Sequence, residues 1–381
     1  MKPTQIFTVS ASIILGSVAS FCWNASPARA VLLIGNTTSS DLGGSNVLKF
    51  DEFTGEFLGE FIATGSGGLS SPDDLTFGPD GNLYISSGND SATPETEPSA
   101  ILRFDGKTGT FLDVFAKSDR LNRPYGNAFG PDGNFYVASF LSDEILRFDG
   151  KTGDFLDVFA SGNQLPGGLN GPNDLLFTPD GKLLVTTQGS VAVNGAADFS
   201  FGLPSQILKF DLATGTSSIF ADQPEPSPDS FGFVSFLGLA ISPDGKLFAS
   251  DFANGIRTYD LGTGELLDFI STNYTGTSPS NNFIGSLAFT PNGNLFTVGF
   301  DFTQENVGTI LRYDGITGMP LPAPGKSSAI FVDANPNLVR PIGIAFQPTK
   351  AVPEPTSVLE PIAVGAVAVF LLRHRKRKRH N

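Results

Sequence analysis

The chain is 381 residues long, 40% apolar and only 16% charged, so it can bury a sizeable core and is not a disordered polymer. Its only Cys (Cys22) and Trp (Trp23) fall before residue 31, and both His (His374, His380) fall near the C-terminal end. The stretch between therefore excludes a Ser-His-Asp or Cys-His nucleophile, a His- or Cys-ligated zinc and a disulfide framework. Residues 31–372 hold 16 basic against 38 acidic side chains, a net charge of −22 that repels nucleic-acid phosphates and attracts cations.

Residues 1–30 read as a secretory signal. Lys2 supplies the positive start, Ile6 to Trp23 is largely apolar, and Ala28-Arg29-Ala30 gives the small-x-small pattern that precedes cleavage.

Residues 31–350 read as one unit repeated six times. An aromatic-Asp-x-x-Thr-Gly string starts at Phe50, Phe104, Phe148, Phe210, Tyr259 and Tyr313. Pro-Asp-Gly turns start at Pro79, Pro131, Pro179 and Pro243, with Pro-Asn-Gly at Pro291 and a decayed copy at Gln347-Pro348-Thr349. One unit parses as Leu75–Phe77, a glycine turn, Leu83–Ile85, a loop, Ile101–Phe104, a second glycine turn and Phe111–Phe115. Four short strands of this kind make an antiparallel blade. Val31–Gly35, Val47–Phe50 and Phe57–Phe61 read as a blade without its first strand, and Pro341–Phe346 reads as that strand. Joining them closes an all-β, six-bladed β-propeller of four-stranded antiparallel blades with no open edge. Aspartates repeated at every turn are read as caps on turn N–H groups rather than as catalytic acids.

The tight turns fall on one face of such a ring. The longer segments Ser87–Ser99, Thr187–Gln206, Ala221–Phe236, Phe300–Gly308 and Met319–Arg340 are assigned to the other, the expected binding face. Aligning the starts of the first strands gives two columns at the mouth of the central channel. The first is Asp73, Tyr125, Asn173, Leu237, Gly285 and Ile342; the second is Asp74, Gly126, Asp174, Gly238, Ser286 and Gly343. Asp73, Asp74, Asn127, Asn173 and Asp174 thus offer oxygen donors on one side of the mouth, the set a Ca²⁺, Mg²⁺ or Mn²⁺ ion prefers. Capping of the loop–strand junctions is the competing reading of the same acids.

The C-terminal end carries a second address. A Pro-rich linker, 351–357, contains Pro353-Glu354-Pro355; an apolar stretch, 358–372, follows; 373–381 is strongly basic. As a helix the apolar stretch would reach roughly 22 Å, short of a hydrocarbon core of about 30 Å. Its basic flank orients such an anchor with the body outside and the tail in the cytoplasm. The three parts in order resemble the PEP-CTERM sorting signal of exported bacterial proteins. That resemblance implies recognition by an exosortase-type membrane protease near Pro353–Pro355, with the body anchored at the membrane or released to the envelope or matrix.

Pro72-Asp73-Asp74-Leu75-x-Phe77-x-Pro79-Asp80-Gly81-Asn82-Leu83-Tyr84 and Ile101-Leu102-Arg103-Phe104-Asp105 resemble NHL-type repeats, and also the gluconolactonase and luciferin-regenerating group of six-bladed propellers. Resemblance to the lactonases implies a divalent metal held by Asn, Asp and Glu at the channel mouth. Pro172-Asn173-Asp174-Leu175 matches that group's Pro-Asn-Gly-Leu element, which makes Asn173 the ligand carried over. The group's early Glu ligand has no counterpart, and its later Asp-Gly position is Leu237-Gly238 or Gly285-Ser286. The expectation is therefore an exported binding or scaffold propeller whose partner is a polysaccharide or an envelope protein, not nucleic acid. The alternative is a divalent-metal-dependent lactonase or esterase.

Overall fold

Glycine turns punctuate runs of β-branched and aromatic residues throughout residues 31–350, and each run becomes a short strand. The structure is a computed structural model, and it describes residues 31–37, 44–88, 99–253 and 255–348. The signal expected at 1–30, the Pro-Glu-Pro linker at 351–357, the apolar stretch at 358–372 and the basic tail lie outside the described residues. Among the described residues no helix is long and apolar enough to cross a membrane.

The described chain opens with β1 (Val31–Asn36), β2 (Asn46–Asp51) and β3 (Phe57–Ile62). Blade 1 follows as β4 (Leu75–Phe77), β5 (Leu83–Ser87), β6 (Ala100–Phe104) and β7 (Phe111–Ala116). Blade 2 is β8 (Pro124–Phe129), β9 (Asn134–Ser139), β10 (Glu144–Asp149) and β11 (Phe155–Ser161). Blade 3 uses β12 (Pro172–Phe177) and β13 (Leu183–Thr187), then inserts a hairpin of β14 (Val191–Val193) and β15 (Ala196–Asp198) before β16 (Ile207–Phe210) and β17 (Ser217–Ala221). Blade 4 is β18 (Phe236–Ile241), β19 (Lys246–Asp251), β20 (Gly255–Asp260) and β21 (Leu266–Ser271). Blade 5 is β22 (Asn282–Phe289), β23 (Asn294–Asp301), β24 (Val307–Asp314) and β25 (Ile330–Val339). Last comes β26 (Pro341–Gln347), which pairs with β1 and completes blade 6 in the order β26-β1-β2-β3.

That closure is antiparallel, with Leu32 opposite Phe346, Leu33 opposite Ala345 and Ile34 opposite Ile344, and its register shifts once, between Ile34 and Asn36. Asn36 pins it from the side. Its Nδ2 donates to the Asn337 carbonyl at 3.0 Å and its Oδ1 accepts the Val339 N–H at 2.6 Å. Blade 6 is thereby tied to β25 of blade 5 by a side chain as well as by packing.

The inner strands are apolar on both sides because each blade is sandwiched between two others. Leu32, Leu33 and Ile34 of β1 are all fully buried, and point alternately to the seams with blades 5 and 1. Six apolar clusters fill the six seams. One joins Leu33, Phe61, Leu75 and Phe104 between blades 6 and 1; another joins Leu32, Ile34, Phe296 and Phe331 between blades 6 and 5. Aromatic edge-to-face pairs such as Tyr84–Phe115 at 4.7 Å reinforce them.

The turn aspartates cap, as the repeat predicts. Asp51 Oδ1 accepts the Phe53 and Thr54 N–H groups at 3.0 and 2.8 Å and the Thr54 hydroxyl at 2.9 Å. Asp105, Asp260 and Asp314 do the same.

Two readings of the connections need correction. The stretch 319–340 is not one loop on the binding face, because 330–339 is the fourth strand of blade 5 and the connection before it lies with the tight turns. Its sequence hid it: Asp333, Asn335 and Pro336 interrupt the apolar alternation, and its ladder to β24 slips three times. The segment 187–206 also holds the hairpin β14–β15, whose three-residue strands are too short to announce themselves.

Candidate functional site at the channel mouth

The two aligned columns meet in space. Asp73, Asp74, Tyr125, Gly126, Asn173, Asp174, Leu237, Gly238, Ser286 and Ile342 line one narrow throat of about 10 Å³. Above it a cavity of about 130 Å³ shares Asp73, Tyr125, Asn173, Leu237 and Ile342, and adds Gln188, Ser235, Phe252 and Arg340.

Backbone irregularity aims these side chains inward. In β8, β12, β18 and β22 the ladder to the second strand slips between Pro124 and Asn127, Pro172 and Leu175, Phe236 and Leu239, and Ile284 and Leu287. Bulges of this kind re-aim side chains beside functional sites. Just before four of the first strands, Ser71, Arg123, Gly171 and Arg340 take left-handed φ of 44°, 52°, 63° and 48°, each directly followed by proline. For the three that are not glycine this is a costly conformation that the surrounding fold must impose.

The second column alternates a side chain with none: Asp74, Gly126, Asp174, Gly238, Ser286, Gly343. Crowding explains it. A Cβ on Gly126 would stand 2.6 Å from Asp174 Cα, and one on Gly238 would stand 2.8 Å from Ser286 Cα. Six strands this close to the axis leave room for a side chain only on every other blade.

Asp74 and Asp174 use that room to bridge blades. Asp74 Oδ1 accepts the Leu75 N–H at 2.8 Å, while Oδ2 accepts the Asn127 N–H of blade 2 at 2.7 Å. Asp174 Oδ1 accepts the Leu175 N–H at 2.7 Å, and Oδ2 accepts the Leu239 N–H of blade 4 at 2.6 Å. Burial pushes the Asp74 carboxyl up to about 6, and the Asp73 charge adds to the effect. Burial and then the Asp74 charge hold Asp174 well above the usual carboxylate range. Burial also raises the Tyr125 phenol, with Asp73 adding to the rise and Arg123 and Arg340 opposing it. The Arg123 guanidinium lies 5.1 Å above the Tyr125 ring.

Of the five donors expected to face a cation, four line the throat: Asp73, Asp74, Asn173 and Asp174. The fifth, Asn127, is set back in the blade seam, its Nδ2 donating to Ser86 Oγ at 3.0 Å. Its Oδ1, and Nδ2 of the largely buried Asn173, have no hydrogen-bond partner. Among the described residues no group of three or more His, Cys, Asp or Glu side chains is placed to hold a metal ion. A hard divalent ion asks for six or more oxygens, and here both carboxylate oxygens of Asp74 and of Asp174 already serve backbone N–H groups. The donor set as it stands does not fit such an ion.

Gln188, Ser235, Phe252 and Arg340 were not singled out in the sequence. All four come from connections or their last residues, and only Arg340 had a signal there, since Arg340-Pro341 repeats Arg123-Pro124.

No family model and no curated protein matches this chain. Solved structures do. The Pseudomonas aeruginosa periplasmic gluconolactonase aligns with a TM-score of 0.55 at 17% identity, over 84% of this chain and 100% of that one. A chain of the nidogen–laminin complex gives 0.55 at 12% identity, over 84% and 99%. A proposed 6-phosphogluconolactonase from Bacteroides fragilis gives 0.52 at 19%, also over 84% and 99%. At these identities the likeness is one of fold: an all-β, six-bladed propeller similar to gluconolactonases and to a propeller found in a protein complex.

Proposed function

We propose that this chain is an exported binding propeller that takes its ligand at the loop-built face, in the cavity over the channel mouth. The observation that carries the reading is the contrast between the two ends of the channel. One end is trimmed to aspartate-capped turns except for the 315–329 connection of blade 5, whereas the other holds a cavity of about 130 Å³ walled by Asp73, Tyr125, Asn173, Gln188, Ser235 and Arg340. A few convergent polar groups over an apolar floor of Leu237, Phe252 and Ile342 are what a small-ligand subsite requires. Removal of residues 1–30 and sorting through Pro353-Glu354-Pro355 by an exosortase-type protease would place this face outside the cytoplasmic membrane, against a polysaccharide or an envelope protein.

Ligand capture from cell-envelope extract by the wild-type protein, lost in Asn173→Leu and Gln188→Leu, tests the binding reading. Capture that ignores both substitutions would defeat it. Cell fractionation tests the address: the wild type should be found outside the cytoplasmic membrane, and a variant lacking 353–355 should stay in it with its tail uncut.

A second reading, hydrolysis of a lactone or ester, is favoured by the gluconolactonase names of two structural neighbours and by the placement of Asp73 and Asn173 at the mouth. Propellers of one architecture serve both enzymes and binding modules, so fold likeness does not choose between them. Lactone turnover by the purified protein that rises with Ca²⁺ or Mn²⁺ and falls on chelation would replace the first reading with this one.

A further inference from the structure

Beside the mouth cavity four phenylalanines form a column that runs to the surface. Phe252, in the cavity wall, stacks on Phe283 with centroids 4.3 Å apart and planes 16° apart, and Phe283 stacks on Phe302 at 4.9 Å and 27°. Phe231 caps the column, 5.7 Å from Phe302 and 6.4 Å from Phe283, and is 48% exposed. Phe233, two residues on, is 43% exposed. Neither ring belongs to the apolar clusters that fill the six seams.

The column is held rigidly. Backbone N–H groups of Phe252, Ser280, Ile284 and Phe302 donate to the carbonyls of Ser235, Asp229, Phe252 and Asn281 at 2.7–3.1 Å, stitching three loops together. The loop segments 221–235, 272–281 and 301–306 carry Asp222, Glu225, Asp229, Asp301 and Glu305 and no Lys or Arg.

We infer that Phe231 and Phe233 form a subsite for a neutral glycan chain whose end sugar enters the mouth cavity. The inference rests on the reading of the loop face as the binding face, and gives that face a ligand class. A pyranose unit has an apolar C–H face and a rim of hydroxyl donors. Exposed aromatic rings meet the first, and carboxylate acceptors meet the second with strong, charge-assisted hydrogen bonds. The five loop acids repel anionic lipid surfaces and uronate-rich polysaccharides alike, and Arg340, the one cation lining the mouth cavity, is matched by Asp73 in the same wall. The cavity supplies Asn173, Gln188 and Ser235, side chains suited to read hydroxyls, next to the ring of Phe252.

The test uses the purified full-length protein with laminarin, xylan, starch and chitin as neutral probes and alginate as the anionic one. Retention of at least one neutral glycan without alginate is expected. The double variant Phe231→Ala with Phe233→Ala should weaken that binding about tenfold or more, as loss of an aromatic anchor does, while still melting in one cooperative transition. Phe231→Tyr, which keeps the ring, should retain it. Binding that survives the double variant, or that fails in Phe231→Tyr, overturns the subsite. If it survives the double variant but falls with Asn173→Leu, the channel-mouth reading still stands. Alginate bound as well as the neutral glycans, or no neutral glycan bound at all, overturns the ligand class.

Discussion

Replacing Asp74 by alanine should cost stability in acid and much less near neutrality. The folded protein holds this carboxyl at about 6 against an ordinary value of 3.8. A group whose folded value is raised contributes stability that is complete below the unfolded value and is lost as pH climbs through the folded one. Between about pH 4 and pH 7 the wild type therefore loses up to about 3 kcal/mol at this position, at about 1.4 kcal/mol for each pH unit of displacement. The amount is smaller in practice, because Asp74 is only partly buried and solvent screens it to that extent. Asp74→Ala has no proton to lose, so it escapes this penalty. In acid it shows the bare cost of orphaning the Leu75 and Asn127 N–H groups, about 2–4 kcal/mol for two buried donors. Removing the Asp74 charge also relieves Asp174, a change of the same sign. Urea unfolding of both proteins at pH 4.5 and 7.5 measures the gap directly. It should narrow by 1.5 kcal/mol or more on going to pH 7.5, within the about 3 kcal/mol bound. A gap that stays constant or widens would refute the raised carboxyl and the burial argument behind it.

Gly126→Ala places a methyl 2.6 Å from Asp174 Cα, a backbone contact that no rotamer relieves; destabilisation of about 3 kcal/mol or more is expected by denaturant titration, and a neutral outcome would mean the throat is wider than described. Asn36→Leu removes the side-chain clamp on Asn337 and Val339 and should cost about 2–4 kcal/mol, with amide exchange quickening first in β25 and β26. The turn caps act on the other limb of the pH profile. Asp105 and Asp149 are held below the ordinary carboxylate range by turn N–H groups and, for Asp105 above all, the Thr108 hydroxyl, so their contribution is present above that range and fades as pH falls. Melting curves of Asp105→Ala with Asp149→Ala should lie below the wild type at neutral pH and converge with it in acid; a parallel offset at all pH values would contradict the capping role.

How much of this was legible depended on how local the cause was. The six aromatic-Asp-x-x-Thr-Gly strings and their Pro-Asp-Gly partners are short-range signals, and they placed every blade. The truncated blade at each end announced its own partner, since Val31–Gly35 lacks a first strand and Pro341–Phe346 lacks a second. The mouth columns were legible for the same reason: they sit a fixed distance before a turn. What the carboxylates do there was not, because residue type alone does not say whether an aspartate meets a cation or an amide of the next blade. Asp74 and Asp174 meet amides 53 and 65 residues downstream. Gln188, Ser235 and Phe252 reach the cavity only through the course of long connections, which no periodicity records. β25 was missed because polar residues and Pro336 fit a strand that is an outer edge, where alternation is not enforced by a core.

Closure of the ring by β1 against β26 fixes where the walls of the mouth cavity stand. A double variant, Leu33→Cys with Ala345→Cys, tests it in a body otherwise free of cysteine. These residues face each other in the antiparallel ladder, where Cα atoms stand about 4.5–5.5 Å apart, within the range a disulfide spans. Oxidised protein should yield, on digestion, a single cross-linked peptide joining the two ends of the propeller, and should melt higher than its reduced form. Two thiols that stay free in the folded, oxidised protein would contradict the closure and the site built on it.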